Sequence, residues 1–137
     1  MYLRRVLLAI WVFGLLGVAA ELVLLEHYED FKQFIPFVVI AGGLGAAAWL
    51  VTRPGRAATR AFGAVVVLFV LSGLIGLVLH YAGNAEFERE RDPSIGGVAL
   101  VWESLTGATP ALAPGTMILL ALIGYAVLVS RRPEDVP

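Results

Sequence analysis

The sequence contains no cysteine. That absence excludes disulfides, thiolate metal sites, iron–sulfur clusters and thiol redox chemistry. With two histidines and two methionines in the whole chain, a redox cofactor is left with His or Met as its ligands, and a divalent metal with His and carboxylates. Charge is scarce as well. Only 15% of residues are charged, against about 25% in a soluble domain. The formal net charge is -1, so the chain has no excess of positive charge for nucleic acid or for a polybasic contact with lipid headgroups. No phosphate-binding glycine loop, nucleophile–base pair, internal repeat or low-complexity tract is present.

What the chain has in abundance is apolar length. Hydrophobic residues make up 59% of it, and the mean hydropathy is +0.85. They fall into four blocks, 6–25, 34–51, 61–81 and 110–130. Each is about 18 to 21 residues long, enough at 1.5 Å per residue to cross a hydrocarbon core of about 30 Å. The expected fold is all-α: a polytopic membrane protein with four transmembrane helices in an antiparallel bundle, one domain over 1–137. The start, MYLRRVLLAIWVFGLLGVAAE, also has the outline of a secretory signal. The apolar run resumes after Glu21 and reaches spanning length, so a retained first span is expected.

Basic residues set the direction. Arg4 and Arg5 precede the first block, Arg53, Arg56 and Arg60 lie between the second and third, and Arg131 and Arg132 follow the fourth. These seven of the ten cationic residues share one side, leaving Lys32, Arg89 and Arg91 on the other. The positive-inside rule then places both termini in the cytoplasm and the 26–33 turn and 83–109 segment outside. Trp11 and Trp49 are expected in the inner aromatic belt, with Tyr28, Phe31, Tyr81 and Phe87 in the outer one. Pro36 fits a first helical turn, and Pro54 with Gly55 ends the second helix.

The outer segment of about 27 residues is long for a bare connection. Its first part, GNAEFERERDP, is polar; its second, SIGGVALVWESLTG, is apolar but too short to span. The second part reads as a short interfacial or re-entrant helix, or as a loop packed over the bundle mouth. Thr109 and Pro110 read as the cap and first residue of the fourth helix.

Two ionisable side chains other than tyrosine fall inside the blocks, Glu21 and His80. At 100° per residue, Gly14, Gly17, Glu21 and Tyr28 share a stripe about 60° wide, as do Gly73, Gly76, His80 and Asn84. Small residues mark faces where membrane helices approach closely, as do Gly42-x-x-x-Ala46, Gly43-x-x-x-Ala47 and Ser72-x-x-x-Gly76. A polar intramembrane site of Glu21, His80, Tyr28 and Asn84 is therefore expected, with Glu21 buried between helices and bonded to His80 or Tyr28. An ionisable group within a span is by default a functional candidate; the plain alternative is a protonated carboxyl joining two helices.

Near the outer end, Glu26, His27, Asp30, His80, Glu86 and Glu88, with Glu103 beside them, make a candidate divalent-metal site. Glu26 and Asp30, like His80 and Asn84, are four residues apart, a spacing that can direct two ligands at one ion on a helix. The plain alternative is a solvated acidic rim. A bis-histidine haem on His27 and His80 is disfavoured, because His27 sits among acids.

Three functional readings follow. The first is an accessory or structural subunit of a larger membrane complex, associating with lipid and with a membrane-protein partner or further copies of itself. The second is a proton or cation carrier or channel using Glu21. In architecture, four helices with a carboxylate in the first, the chain resembles the small multidrug transporters. Its long outer segment and strong charge bias depart from their short loops. The third is a metal-dependent membrane enzyme using the outer cluster. The first is the expected one, because the outer segment is richer than a minimal carrier needs.

Overall fold

The computed structural model describes residues 2–107 and 109–130. Five α-helices account for most of them: α1 (Tyr2–Leu24), α2 (Phe34–Thr52), α3 (Arg56–Arg91), α4 (Gly97–Thr106) and α5 (Gly115–Val129), with a 3-10 turn at Phe31–Gln33 before α2. α1, α2 and α3 are each long and apolar enough to cross a membrane; α5 is a shorter apolar helix. In space α1 neighbours α2, α2 neighbours α3, α3 neighbours α5, and α5 returns to α1. The α3–α5 contact is the most extensive and α1–α2 the least, while α4 packs on α3.

The core forms where the inward stripes meet. α1 contributes Trp11 and Leu15, α2 Ile40, Gly43, Ala46, Ala47 and Leu50, α3 Phe62, Val66 and Phe69, and α5 Met117, Leu120, Ala121 and Val127. Trp11 is its hub and is fully buried. Its ring lies 4.8 Å from Phe62 and 5.7 Å from Phe69, and its indole N–H donates to the Leu120 carbonyl at 2.7 Å. Gly124 makes that bond accessible: a Cβ there would stand 3.1 Å from the indole nitrogen and 2.7 Å from Val66. Trp11 therefore does not belong to an interfacial belt, as its place in the sequence suggested. Trp49, by contrast, is exposed near the end of α2.

α3 runs far past the expected end at residue 81. Its 36 residues extend about 54 Å, well beyond a hydrocarbon core of about 30 Å. The polar run read as a loop consists largely of Ala, Glu and Arg, all good helix formers, and meets no proline until Pro93. Arg91 pairs with Glu88 one turn back at 2.7 Å. The helix ends at Asp92, whose extended backbone suits the residue before a proline. The Asp92 carboxylate accepts from the Ser94 hydroxyl (2.6 Å) and backbone N–H (2.9 Å), which together hold its pKa below the usual carboxylate range.

α5 starts five residues later than expected. A helix running from Pro110 would need the N–H of residue 114 to bond the Pro110 carbonyl, and Pro114 has none. The chain instead makes tight turns, with Ala113 N–H to Pro110 O at 3.1 Å and Gly115 N–H to Leu112 O at 2.9 Å. Thr109 is accordingly not the cap of α5.

Candidate functional site

The polar groups singled out in the sequence gather toward one end of the helices, where α1 stops and α3 continues. α1 ends in a Schellman motif: His27 N–H bonds Leu22 O and Glu26 N–H bonds Val23 O, both within 3.0 Å. Glu26 occupies the left-handed position with φ 52°, where glycine is usual. Helical geometry thus stops before Glu26, and Asp30 is extended. The expected i, i+4 pairing of Glu26 and Asp30 on a helix does not exist. Asp30 instead opens the 3-10 turn, and Gln33 Oε1 accepts from the N–H groups of Glu29 (2.7 Å) and Asp30 (3.2 Å).

The Glu21 side chain is exposed and makes no hydrogen bond or ion pair among the described residues. The expected burial against His80 or Tyr28 is not realised; Tyr28 is itself exposed. The bulky residues decide which face of α1 turns inward. Trp11 and Leu15 fill the core, with Val18 and Leu22 packed along the same stripe, and Glu21 lies roughly 100° away from Leu22. Register adds to this. Gly14 faces Leu120, where a Cβ would stand 2.6 Å from that side chain. From this level Glu21 is seven residues up α1, about 10.5 Å, while the first residue of α5 is five residues up, about 7.5 Å. α5 is too short to flank Glu21.

The stripe on α3 does face inward. Gly73 and Gly76 pack directly against Ile118 and Pro114, His80 is half-buried, and Asn84 is buried at 4% exposure. Asn84 is fully engaged. Its amide donates to the carbonyls of Ser104 (2.8 Å) and Thr109 (2.7 Å), and its Oδ1 accepts from the N–H and hydroxyl of Thr109. Ser104 is buried too and bonds Leu100 O at 2.6 Å. Asn84 therefore clasps the upper part of α3 to α4 and to the segment entering α5. It has no valence left for an ion.

His27 and His80 come together, with ring centroids 6.0 Å apart. His80 also reaches the backbone of Pro110, and its Nδ1 is buried without a hydrogen-bond partner. The two histidines meet because α1 unwinds after Leu24, so the 100° rule does not place His27. They do not assemble the expected metal site: among the described residues no three His, Asp or Glu side chains form a group able to hold an ion. Glu86 is exposed and solvated, and Glu88 is buried and committed to Arg91.

The features missed in the sequence were the Trp11 hub and the partners of Asn84. The first had a signal in Leu8, Trp11, Leu15, Val18 and Leu22, a stripe of large residues at spacings of three and four. Compared with known proteins, the chain matches no family model, no curated protein and no solved structure.

Proposed function

We propose that the chain is a four-span integral membrane protein with both termini cytoplasmic, acting as an accessory or structural subunit of a larger membrane complex. α1, α2 and α3 have spanning length. α5 reaches about 22 Å and completes a fourth crossing with the turns above it. Arg4, Arg5, Arg53, Arg56 and Arg60 favour the inner side; Arg131 and Arg132 lie outside the described residues.

The observation that carries the structural role is the platform built where α3 continues past the end of α1. α3 is longer than a membrane span, Asn84 fixes α4 to it, and α4 turns Val98, Val101, Trp102 and Leu105 outward. An exposed apolar face on a rigid mount suits contact with a partner or with the headgroup layer. Inside, large apolar side chains occupy the space between helices, and Asn84 and the Trp11 indole are consumed by tertiary hydrogen bonds. Extraction in mild detergent followed by mass spectrometry tests the reading. A second membrane protein should copurify in fixed ratio; a chain that purifies without one contradicts it.

One observation favours proton or cation carriage instead, the ionisable Glu21 within the first span. On that reading, reconstituted vesicles conduct protons or cations and Glu21→Gln abolishes the flux. Absence of flux from the unmodified protein removes it.

A further inference from the structure

We infer that the groove between α1 and α2, at their arginine-bearing ends, binds one anionic phospholipid, with an acyl chain along the groove and the phosphate at Arg5. The inference rests on the membrane-spanning reading and names a ligand within it. α1 and α2 share the smallest contact in the ring of helices. Along their seam lies an open groove of about 590 Å³, lined by Leu8, Ala9, Val12, Phe13 and Leu16 of α1 and Val51 of α2. A hollow of about 280 Å³ adjoins it and reaches Ala47 and Ala48. Among the described residues, Arg5 is the only charged one in either lining.

Length decides between occupants. From Arg5 to Leu16 the groove follows α1 for about 16 Å, the depth of one leaflet in a hydrocarbon core about 30 Å thick. A spanning helix of another protein needs a seam about twice as long; an acyl chain needs no more than this one. Charge decides the kind of lipid. Arg5 immediately precedes the apolar block that opens at Val6, so it stands at headgroup depth. Arg53 follows Val51 by two residues, at the same end. No Asp or Glu occurs in 1–20 or 31–85, and neither arginine makes an ion pair among the described residues. Arg4 Nε is likewise buried without a hydrogen-bond partner among them. A guanidinium gives a phosphate two parallel hydrogen bonds, and basic pockets between membrane helices are where anionic headgroups bind. The net charge of -1 conceals this end, because every described Asp and Glu lies toward the other.

Native mass spectrometry of the full chain, released from micelles at moderate salt, reads the binding. Dioleoylphosphatidylglycerol should fill one site about 5- to 30-fold more tightly than dioleoylphosphatidylcholine, the range set by one or two arginines at a lipid phosphate. Arg5→Gln should cut that preference about 5-fold. Arg60→Gln, on α3 and outside the lining, should leave it within about 2-fold, because salt screens separated charges. Ala9→Phe fills the groove and should weaken both lipids. In vesicles, a photoreactive group on Ala48→Cys should capture lipid, the chain having no other thiol. Equal affinity for the two lipids, equal effects of Arg5→Gln and Arg60→Gln, or indifference to Ala9→Phe would each overturn the inference. Capture of a second copy or of another protein at position 48 would do so too, as would competition by inorganic phosphate. If the lipid preference is absent while a partner still copurifies, the accessory-subunit reading stands without this site. A chain that keeps the preference and purifies alone gives the reverse.

Discussion

Trp11 ties α1 to two other helices, touching α3 through Phe62 and Phe69 and bonding α5 at Leu120. Trp11→Phe removes the indole N–H and keeps a ring; it should cost about 1 kcal/mol, the range of interhelical hydrogen bonds in membranes. Trp11→Ala also opens a cavity and should cost about 3 kcal/mol or more. Reversible unfolding in mixed micelles measures both, and equal losses would mean that the indole bond contributes most of the effect. Glu26 poses the opposite case. Its left-handed backbone is disfavoured for a side chain by about 1 kcal/mol. Glu26→Gly should therefore stabilise the protein by about that amount in the same assay. A loss of stability would show that the Glu26 side chain makes a contribution outweighing its strain.

Helices show most clearly what could be read in advance. The apolar blocks located α1, α2 and the membrane part of α3, because a run of about 20 apolar residues has little alternative to a helix in lipid. The small-residue stripe from Gly73 to Asn84 also gave the inward face of α3 correctly. The same rule misled on α1, where Trp11 and Leu15 took the core and turned Glu21 outward. Ends were legible only where local chemistry dictated them. Pro54 follows the end of α2 as expected, whereas α3 runs on to Arg91, past the expected end at residue 81, and the start of α5 depends on Pro114 lacking a bond to Pro110. The meeting of His27 with His80 depends on the chain unwinding after Leu24. The clasp of Asn84 on Ser104 and Thr109 spans 20 and 25 residues, a separation that periodicity cannot reach. Asn84→Ala should cost about 2 kcal/mol, through the buried Ser104 carbonyl left unpaired. It should also release α4 selectively. Hydrogen exchange tests this: amides of 97–106 should exchange faster while those of α1 and α2 keep their protection, and uniform acceleration would contradict a local clasp.

Taken whole, the molecule is a set of apolar helices whose polar residues are sorted toward one end, and its basic residues largely toward the other. That sorting matters more for function than any single side chain, since it decides which face the α3–α4 platform presents and to what compartment. Arg53 stands between α2 and α3, with Arg56 and Arg60 in the first turns of α3; at the opposite end Asp30 stands between α1 and α2, and Glu86 and Glu90 lie in the last turns of α3. Labelling of single cysteines in intact cells reads this directly, because the chain has no thiol of its own. Asp30→Cys and Glu90→Cys should react with an impermeant thiol reagent, and Pro54→Cys, which leaves every arginine in place, should react only after the membrane is opened. Labelling of position 54 in intact cells, with 30 and 90 protected, would reverse the orientation and contradict the platform's placement outside.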